Sequence, residues 1–340
     1  MPPPGDNTGD LPNTTRSGER SVLAIGVFDG VHRGHRKLIE TAREIADGHG
    51  PIAEGPGEDA RVIALAFEPS PKAVLDPEHA PPRLTDFEDR ADLLLDAGAD
   101  EVLRLEPTRE LLGLSPERFV DEVLMPMHPA AIVEGSDFRF GAKRAGDVRT
   151  LAELGRSRGF SVRIVEPVEV SLNDQSVVAA SSSRVRWLLA HGRVADAGRV
   201  LGRAYEMVGT VVRGDQRGRT IGFPTANLAS DQTPPGEGVY ACIATLEDGR
   251  AIPCAVNVGE RPTFDGKERR VEAHLIGYQR DGDQPEYGWP LRIAFVSRLR
   301  DQVRFGGIEH LTAQLARDVQ RANECLSTTV PSWQEMEQNA

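Results

Sequence analysis

Cysteine is scarce in this chain of 340 residues. Its three cysteines, Cys242, Cys254 and Cys325, are odd in number and form no CxxC pair or cluster with metal-ligand spacing. This usage excludes a disulfide framework and a structural zinc site as the basis of the fold. A reducing cytoplasm is the compartment that it predicts.

Long apolar runs and a surplus of positive charge are also missing. No run approaches the ~18 to 20 apolar residues of a membrane span, so we expect no membrane partner. Lys and Arg number 40 against 52 Asp and Glu, a formal net charge of −12. Because a nucleic-acid binder needs a broad cationic face, we expect no nucleic-acid partner, and any phosphate chemistry must use a local site.

Aromatic residues make up only 5% of the chain, and none stands out as a stacking partner for a planar ligand. The first twenty residues lack the apolar segment of a secretory signal. They are rich in Pro, Gly, Asn and Thr and offer little to bury. We therefore predict a disordered tail over residues 1–20.

The first half of the chain alternates apolar runs with helical patterns. Strands that are apolar on both faces and separated by helices indicate a parallel sheet covered on each side. We therefore predict a Rossmann-like, doubly wound α/β domain over residues 21–189. The predicted strands are VLAIGVF at 22–28, VIALAF at 62–67, EVLRL at 101–105, AAIVEG at 130–135 and SVRIVEPVEV at 161–170, and the predicted helices lie near 35–45, 87–97, 115–125 and 147–158.

The second half of the chain has a different pattern of apolar residues. A short helical pattern, WLLAHGRVADAGRVLG, is taken as the connector, with the linker predicted at 190–205. Beyond it, short runs rich in Val, Ile and Thr, punctuated by Gly and Pro, predict a small antiparallel β-barrel over 206–328. Residues 329–340 are predicted to be a second tail. A C-terminal helix packed on the barrel is predicted from the spacing of Ile308, Leu311, Leu315 and Val319.

The densest cluster of reactive residues is GVFDGVHRGHRKLI, where the first strand gives way to the first helix. Ligands of open α/β sheets sit beyond the carboxyl ends of the strands, and helix-initial N–H groups attract phosphate. His32 and His35 are three apart and share a helix face. We expect Gly26, Phe28 and Gly34 to bind nucleotide, since a glycine here lets the ligand approach the backbone closely. The two imidazoles can donate hydrogen bonds to phosphate oxygens.

The HxGH string after a strand and a DG turn resembles the nucleotidyltransferase superfamily. The longer GVFDGVHRGH is similar to the adenylyltransferase half of prokaryotic bifunctional riboflavin kinase/FAD synthetases. That resemblance implies catalytic roles for His32 and His35. It also implies nucleotide-binding roles in two later segments, for Asp137 in GSDFRFG and for Ser182, Ser183 and Arg186 in SSSRVR.

Two features of this half leave alternatives open. A serine run before an arginine is by itself the mark of a helix N-cap, a place that Ser182 and Ser183 suit. FEPSP at 67–71 stands where the family usually has F-D-P-H-P, so Ser70 replaces a histidine. We assign no role to Ser70.

The second specific string is GTVVRGDQRGRTIGFPTANL at 209–228. Its glycines alone fit a β-hairpin, but GFPTAN closely matches the riboflavin kinase signature. Gly214, Gly218 and Arg219 are expected to bind phosphate through backbone freedom and charge. Thr225 and Asn227 are two apart, so in an extended stretch their oxygens face one side, where Mg²⁺ bridging ATP phosphates could bind.

A carboxylate in a later strand completes this second set. Glu272 alternates with apolar residues in RRVEAHLI, which by position alone suits a solvated outer face. The resemblance implies that Glu272 is instead the catalytic base for the ribityl 5′-hydroxyl. The family landmarks GVYA, NVGERPTF, YGWPL and RLRDQVRF also follow in order.

The resemblance implies a bifunctional transferase that uses ATP and Mg²⁺ to convert riboflavin to FMN and then to FAD. Its partners would be these small molecules, with a weak homo-oligomer left open. Two alternatives remain. One is a riboflavin kinase whose FAD synthetase activity is weak or lost because of FEPSP, and the other is a flavin- or nucleotide-binding protein without catalysis.

Overall fold

A parallel sheet organises the first part of the protein. The computed structural model describes residues 20–49, 60–263, 266–279 and 285–338. The sheet has the strand order β3-β2-β1-β4-β7. Its strands are β1 (Ser21–Gly26), β2 (Arg61–Phe67), β3 (Glu101–Leu105), β4 (Pro129–Gly135) and β7 (Ser161–Val165).

Helices and short ribbons connect these strands. The helices are α1 (Arg33–Ala46), α2 (Pro71–Leu75), α3 (Phe87–Asp96), α4 (Arg109–Leu112), α5 (Pro116–Phe119) and α6 (Val148–Arg158). A π-helical turn, Val120–Leu124, follows α5. A two-residue ribbon pairs β5 (Arg139–Phe140) with β6 (Gly146–Asp147).

Both faces of the sheet are covered, as the continuous apolar runs predict. Val22 and Ala24 face one core with Ile39 of α1. Leu23 and Ile25 face the opposite core with Phe119 of α5. Alternate residues of β1 thus enter two cores, which confirms the doubly wound α/β prediction.

The predicted long strand SVRIVEPVEV is wrong as a single element. Pro167 lacks an N–H for the ladder, and the sheet strand ends before it at Val165. The chain resumes as β8 (Glu169–Ser171), which pairs with β9 (Val177–Ala179) in a separate ribbon.

The helical pattern at 187–202 is likewise two helices. They are α7 (Ser182–Ala190) and α8 (Val194–Leu201). Gly192 separates them in the left-handed region, with φ of 69°. A Cβ at this position would lie 2.9 Å from the Tyr240 hydroxyl, so glycine is required for both its conformation and its size.

The second half forms the closed antiparallel barrel that was predicted. The strands follow the order β10-β11-β14-β13-β12-β15 around the barrel. A one-turn helix, α9 (Arg217–Thr220), lies between the first two in sequence. The strand bounds are β10 (Tyr205–Val212), β11 (Ala226–Ala229), β12 (Gly238–Thr245), β13 (Ala251–Thr263), β14 (Gly266–Leu275) and β15 (Pro290–Arg300).

The predicted C-terminal helix, α10 (Ile308–Gln338), packs on this barrel and continues beyond the predicted end at 328. Ala322 and Leu326 pack against Ala241 and Val296. Asp318 is 1% exposed, and its carboxylate accepts hydrogen bonds from Nε and Nη2 of Arg300 in β15. The Asp318–Arg300 ion pair therefore holds α10 at one point, and apolar packing holds it at a second.

Contacts divide the chain into two units. One comprises residues up to Pro81 together with Phe87–Val168, and the other comprises Pro82–Asp86 and residues from Glu169 onward. Residues 169–189 therefore group with the barrel, and the predicted domain bounds at 189, 205 and 328 stay predictions. Most of the predicted N-terminal tail lies outside the described residues, as do Phe264 and residues 280–284. Within the described ranges, no helix is both long enough and apolar enough to cross a membrane.

The short segment Pro82–Asp86 is held inside the barrel unit by hydrogen bonds. The carbonyl of Arg83 accepts from the backbone N–H and the hydroxyl of Thr233, at 2.7 and 2.8 Å. The carbonyl of Leu84 accepts from Nε2 of Gln232 at 3.0 Å. Both Gln232 and Thr233 are buried, so these acceptors satisfy groups that water cannot reach.

Replacing Asp318 with alanine is expected to loosen α10, because the mutation leaves Arg300 uncompensated. Breaking a buried pair at one partner costs about 3 kcal/mol. Native-state hydrogen exchange of the α10 amides measures this loss as a lower free energy of local opening. Glu309→Ala is the control, since it removes an exposed carboxylate from the same helix and should cost under about 1 kcal/mol. Equal protection in the two variants would contradict the docking role.

Candidate functional site

The turn after β1 brings the first predicted site residues together through an unusual backbone. Phe28, Gly30 and Val31 all have positive φ, at 52°, 82° and 38°. Such a conformation is costly for bulky and β-branched residues. Val31 N donates to the Phe28 carbonyl at 2.9 Å, closing the turn. The Phe28 ring covers Gly26, where a Cβ would lie 3.3 Å from the ring.

His32 and His35 meet at the start of α1. His32 is the N-cap, and its Nδ1 accepts from the Gly34 N–H at 3.1 Å. The His32 and His35 rings are stacked with their centroids 3.6 Å apart. The His35 and Phe28 rings are T-shaped, with centroids 5.3 Å apart. With Nδ1 used as an acceptor, neutral His32 carries its proton on Nε2, the donor that a phosphate oxygen needs. The structure thus assembles Gly26, Phe28, His32, Gly34 and His35.

A buried arginine, Arg90 of α3, supports this edge of the sheet. Its guanidinium is 2% exposed and donates to the carbonyls of Val27 and Phe67, at the ends of β1 and β2. It also pairs with the Glu68 carboxylate. Sequence reasoning missed Arg90, because an arginine in an amphipathic helix is usually predicted to be a solvent-exposed side chain.

Ser70, in the FEPSP departure, caps a helix. Its side chain accepts from the Ala73 N–H at 3.3 Å at the start of α2. The preceding Glu68 is the acid paired with Arg90. Ser70 therefore has a local structural use that suits its residue type.

A second buried charge lies on β4. Glu134 is 2% exposed, and its Oε1 accepts from the Ile25 N–H of β1 at 2.7 Å. Burial raises the pKa of the Glu134 carboxyl well above its usual range; the Ile25 hydrogen bond opposes this rise, and the charge of Asp137 adds to it. Asp137 itself is exposed in the turn after β4. Sequence reasoning singled out Asp137 but not Glu134.

The serine and arginine candidates belong to the barrel unit by contacts. Ser182 and Ser183 begin α7, but the N-cap is Ser181, whose hydroxyl accepts from Arg184 N at 3.2 Å. The expectation that Ser182 or Ser183 caps the helix is therefore wrong by one residue. Arg186 Nε donates to the Pro82 carbonyl at 2.7 Å.

A cavity of about 180 Å³ lies at the glycine-rich string of the barrel. It is lined by several predicted residues, namely Gly214, Arg219, Thr225 and Asn227. It also contains aromatic side chains that composition could not single out as ligand contacts: Tyr278, Tyr287 and Trp289.

Asn227 and Glu272 are aligned across two strands. β11 and β14 pair them directly, and Glu272 also faces Asn257 of β13. Directly opposed residues on one face have Cβ atoms ~4.5 to 5.5 Å apart, so Glu272 lies beside Asn227. Glu272 does not itself line the cavity described above.

Glycine is required twice in the loop over these residues. A Cβ at Gly214 would lie 2.2 Å from Nδ2 of Asn227, so the loop backbone rests on that amide. A Cβ at Gly218 would lie 2.2 Å from the Phe223 carbonyl oxygen. Both separations are far below van der Waals contact, so a larger residue would displace the loop.

Ionic and polar contacts hold the same loop at its rim. Arg219 Nη2 donates to Glu286 at 2.6 Å, and this contact raises the pKa of the Arg219 guanidinium. Gln216 Nε2 donates to the Tyr287 hydroxyl at 2.6 Å. Arg219 is thus placed at the cavity, where it forms an ion pair with a carboxylate.

Arg90→Met should destabilise the parallel-sheet unit, because it leaves Glu68 and two strand-end carbonyls without their donor. The expected loss is about 3 to 5 kcal/mol in the free energy of unfolding, measured by urea denaturation. Arg104→Met is a matched control. Arg104, like Arg90, lies over the Phe87 ring and pairs with a glutamate, Glu88, but it is exposed. Similar losses in both variants would show that burial of the Arg90 ion pair is unimportant.

Comparison with known proteins divides the chain into two matched segments. A family model described as FAD synthetase matches residues 14–181, and one described as riboflavin kinase matches residues 201–326. A crystal structure from Streptococcus pneumoniae, described as a macrolide-efflux protein, has a TM-score of 0.78 at 29% identity and covers 90% of this chain and 95% of that chain.

Two bacterial relatives match over most of their length. The bifunctional riboflavin kinase/FMN adenylyltransferase of Escherichia coli strain K12 is 34% identical over 92% of this chain and 95% of its own. The protein of the same name from Bacillus subtilis is 32% identical over 89% of this chain and 92% of its own. Both family models and both constellations are present in order, and the chain belongs to the bifunctional riboflavin kinase/FMN adenylyltransferase family.

Proposed function

We propose that this protein phosphorylates riboflavin to FMN in its barrel and adenylylates FMN to FAD in its α/β domain. The observation that carries the proposal is the assembly of two separate constellations, His32 with His35 and Asn227 with Glu272, each within the segment matched by the corresponding family model. Both reactions are phosphoryl-group chemistry, which depends on positioning and on charge stabilisation.

In the kinase step, the riboflavin 5′-hydroxyl attacks the γ-phosphorus of ATP. Glu272 takes the hydroxyl proton, the bond to the β,γ-bridging oxygen breaks, and FMN and ADP leave. Asn227 beside Glu272 would then hold the metal-bound phosphates close to the base. The Gly214 backbone, seated on the Asn227 amide, places loop N–H groups near these phosphates.

The residues present fit Mg²⁺ at this site. Thr225 and Asn227 offer hard oxygen ligands on the wall of one cavity. No cluster of three or more His, Cys, Asp or Glu suited to a metal ion occurs in the described part of the chain. This fits an ion that takes most of its ligands from ATP and water. When bound, Mg²⁺ neutralises charge on the transferring phosphoryl group.

Flavin binding is assigned to the aromatic residues of the same cavity. Tyr278, Tyr287 and Trp289 line it together with Thr225 and Asn227 and supply flat aromatic surface. A planar isoalloxazine ring is stabilised by stacking on such side chains.

In the adenylyltransferase step, an FMN phosphate oxygen attacks the α-phosphorus of ATP, and pyrophosphate leaves. His32 Nε2–H and the N–H groups that open α1 stabilise the charge that develops on the phosphate oxygens. Gly34 leaves the backbone open to the ligand. Asp137 is proposed to bind this nucleotide. Ser182, Ser183 and Arg186 are proposed to bind ATP phosphates, and both reactions are assigned to the cytoplasm.

Gly214→Ala should selectively impair the kinase. The added methyl group would meet Asn227 at 2.2 Å, so loop or amide must move. We expect at least a tenfold lower kcat/KM for FMN formation, about 1.4 kcal/mol of transition-state stabilisation. Gly306→Ala is the control, because a Cβ there meets nothing within 4 Å. If Gly214→Ala forms FMN as fast as the unmodified protein, the position of Asn227 is not important for the kinase step.

The division of labour is tested by separating flavins chromatographically during incubation with ATP and Mg²⁺. Glu272→Ala should abolish conversion of riboflavin to FMN and leave conversion of FMN to FAD. The double change His32→Ala and His35→Ala should do the reverse. Loss of both activities by either folded variant would refute the assignment.

The unmodified protein in the same experiment decides between the alternatives. FMN that rises first and is followed by FAD supports the bifunctional proposal. FMN without FAD would identify a kinase with a weakened first domain, as the Ser70 departure allows. If neither FMN nor FAD forms, the remaining alternative is a flavin- or nucleotide-binding protein without catalysis.

A further inference from the structure

Strands β1 and β4 separate at the ends where nucleotide chemistry is proposed. Their ladder pairs Val22 with Ala131 and Leu23 with Ile132, and no later pair occurs in the described structure. Each strand nevertheless stays paired on its other side, β1 with β2 as far as Gly26 and β4 with β7 as far as Gly135. The sheet is therefore opened locally between these two strands, while its outer pairings continue.

This opening lies at the topological switch point. In the order β3-β2-β1-β4-β7, the chain proceeds outward from β1 on one side and from β4 on the other. Crevices at such points, outside the carboxyl ends of the strands, are where open α/β sheets bind ligands. The Gly26–Phe28 turn and the two histidines follow directly from β1.

The Glu134 side chain occupies the place of the missing ladder bond. Ser21 N donates to the backbone of His128 on the β4 side, and alternate residues of a strand point their N–H groups to the same side. Ile25, four residues on, therefore points its N–H toward β4. There it meets the Glu134 carboxylate at 2.7 Å instead of a backbone carbonyl. In the described structure, this is the one hydrogen bond of the Glu134 side chain, whose backbone belongs to the β4–β7 ladder.

We infer that Glu134 is a positioning residue of the adenylyltransferase site, whose side chain accepts the Ile25 N–H and so holds β1 and β4 apart at the nucleotide crevice. This inference rests on the proposed function for its catalytic readout only. A backbone N–H buried in a sheet needs an acceptor. By supplying one from a side chain, Glu134 leaves β1 free to turn at Gly26 without closing onto β4.

The charge of the carboxyl is not what the role requires. Burial, and to a smaller extent the charge of Asp137, raise the pKa of the Glu134 carboxyl well above its usual range, while the Ile25 hydrogen bond lowers it. Glutamine resembles the carboxyl in shape and keeps an oxygen acceptor without the charge. Valine fits a buried strand but offers none, so the pair Glu134→Gln and Glu134→Val isolates the hydrogen bond.

Steady-state conversion of FMN to FAD by full-length protein is the first measurement. Glu134→Val should lower kcat/KM at least tenfold, with KM for ATP raised, while Glu134→Gln stays within about threefold of the unmodified protein. Riboflavin phosphorylation in the same samples should be unchanged in both, since the barrel carries it. A Val variant as active as the unmodified protein, or a Gln variant as poor as Val, would overturn the inference.

A crystal structure of Glu134→Val tests, independently of activity, whether the Glu134 side chain holds β1 and β4 apart. We expect the β1–β4 ladder to extend to Ile25, whose N–H would then donate to a β4 carbonyl. Strands that stay apart, with Ile25 N–H on water, would overturn the inference. If neither the unmodified protein nor any variant makes FAD while the ladder closes as expected, the proposed function fails, and only the part of the inference that Glu134 holds β1 and β4 apart stands.

Discussion

The sheet edge at which we propose nucleotide binding depends on one buried guanidinium. Arg90 donates to the carbonyls that end β1 and β2 and neutralises Glu68 between them. Strand ends in a parallel sheet leave carbonyls with no further partner in the ladder, and a cation with several donors can satisfy them together. The strained turn at Phe28 and Val31 persists because its base is fixed in this way.

Two buried side chains thus have opposite effects on the strand pairing at this edge of the sheet. Arg90 draws together the ends of β1 and β2, while Glu134 takes the Ile25 N–H and leaves β1 and β4 apart. Strand β1 is therefore held to β2 on one side, while its pairing with β4 ends early on the other. The histidine pair at the start of α1 therefore follows a turn whose position depends on contacts of β1 with both neighbouring strands.

Much of the fold was predictable because its signals are local. Binary patterns located β1 to β4, α1, α3 and α6, and the Gly- and Pro-punctuated runs located the barrel. Where local reading failed, a chain breaker inside a longer apolar pattern was the cause, Pro167 in one case and Gly192 in the other. The catalytic candidates were found through short specific motifs. Arg90 and Glu134 were not, since a buried charge gains its meaning only from strands distant in sequence.

The segment Pro82–Asp86 has a consequence for how the two activities could be separated. Its carbonyls at Arg83 and Leu84 are the acceptors for the buried donors of Gln232 and Thr233. The chain thus enters the barrel unit, leaves it and returns. A gene divided near the linker would yield a barrel fragment lacking a piece of its own interior, so fission into independent single-activity proteins would first have to replace those acceptors.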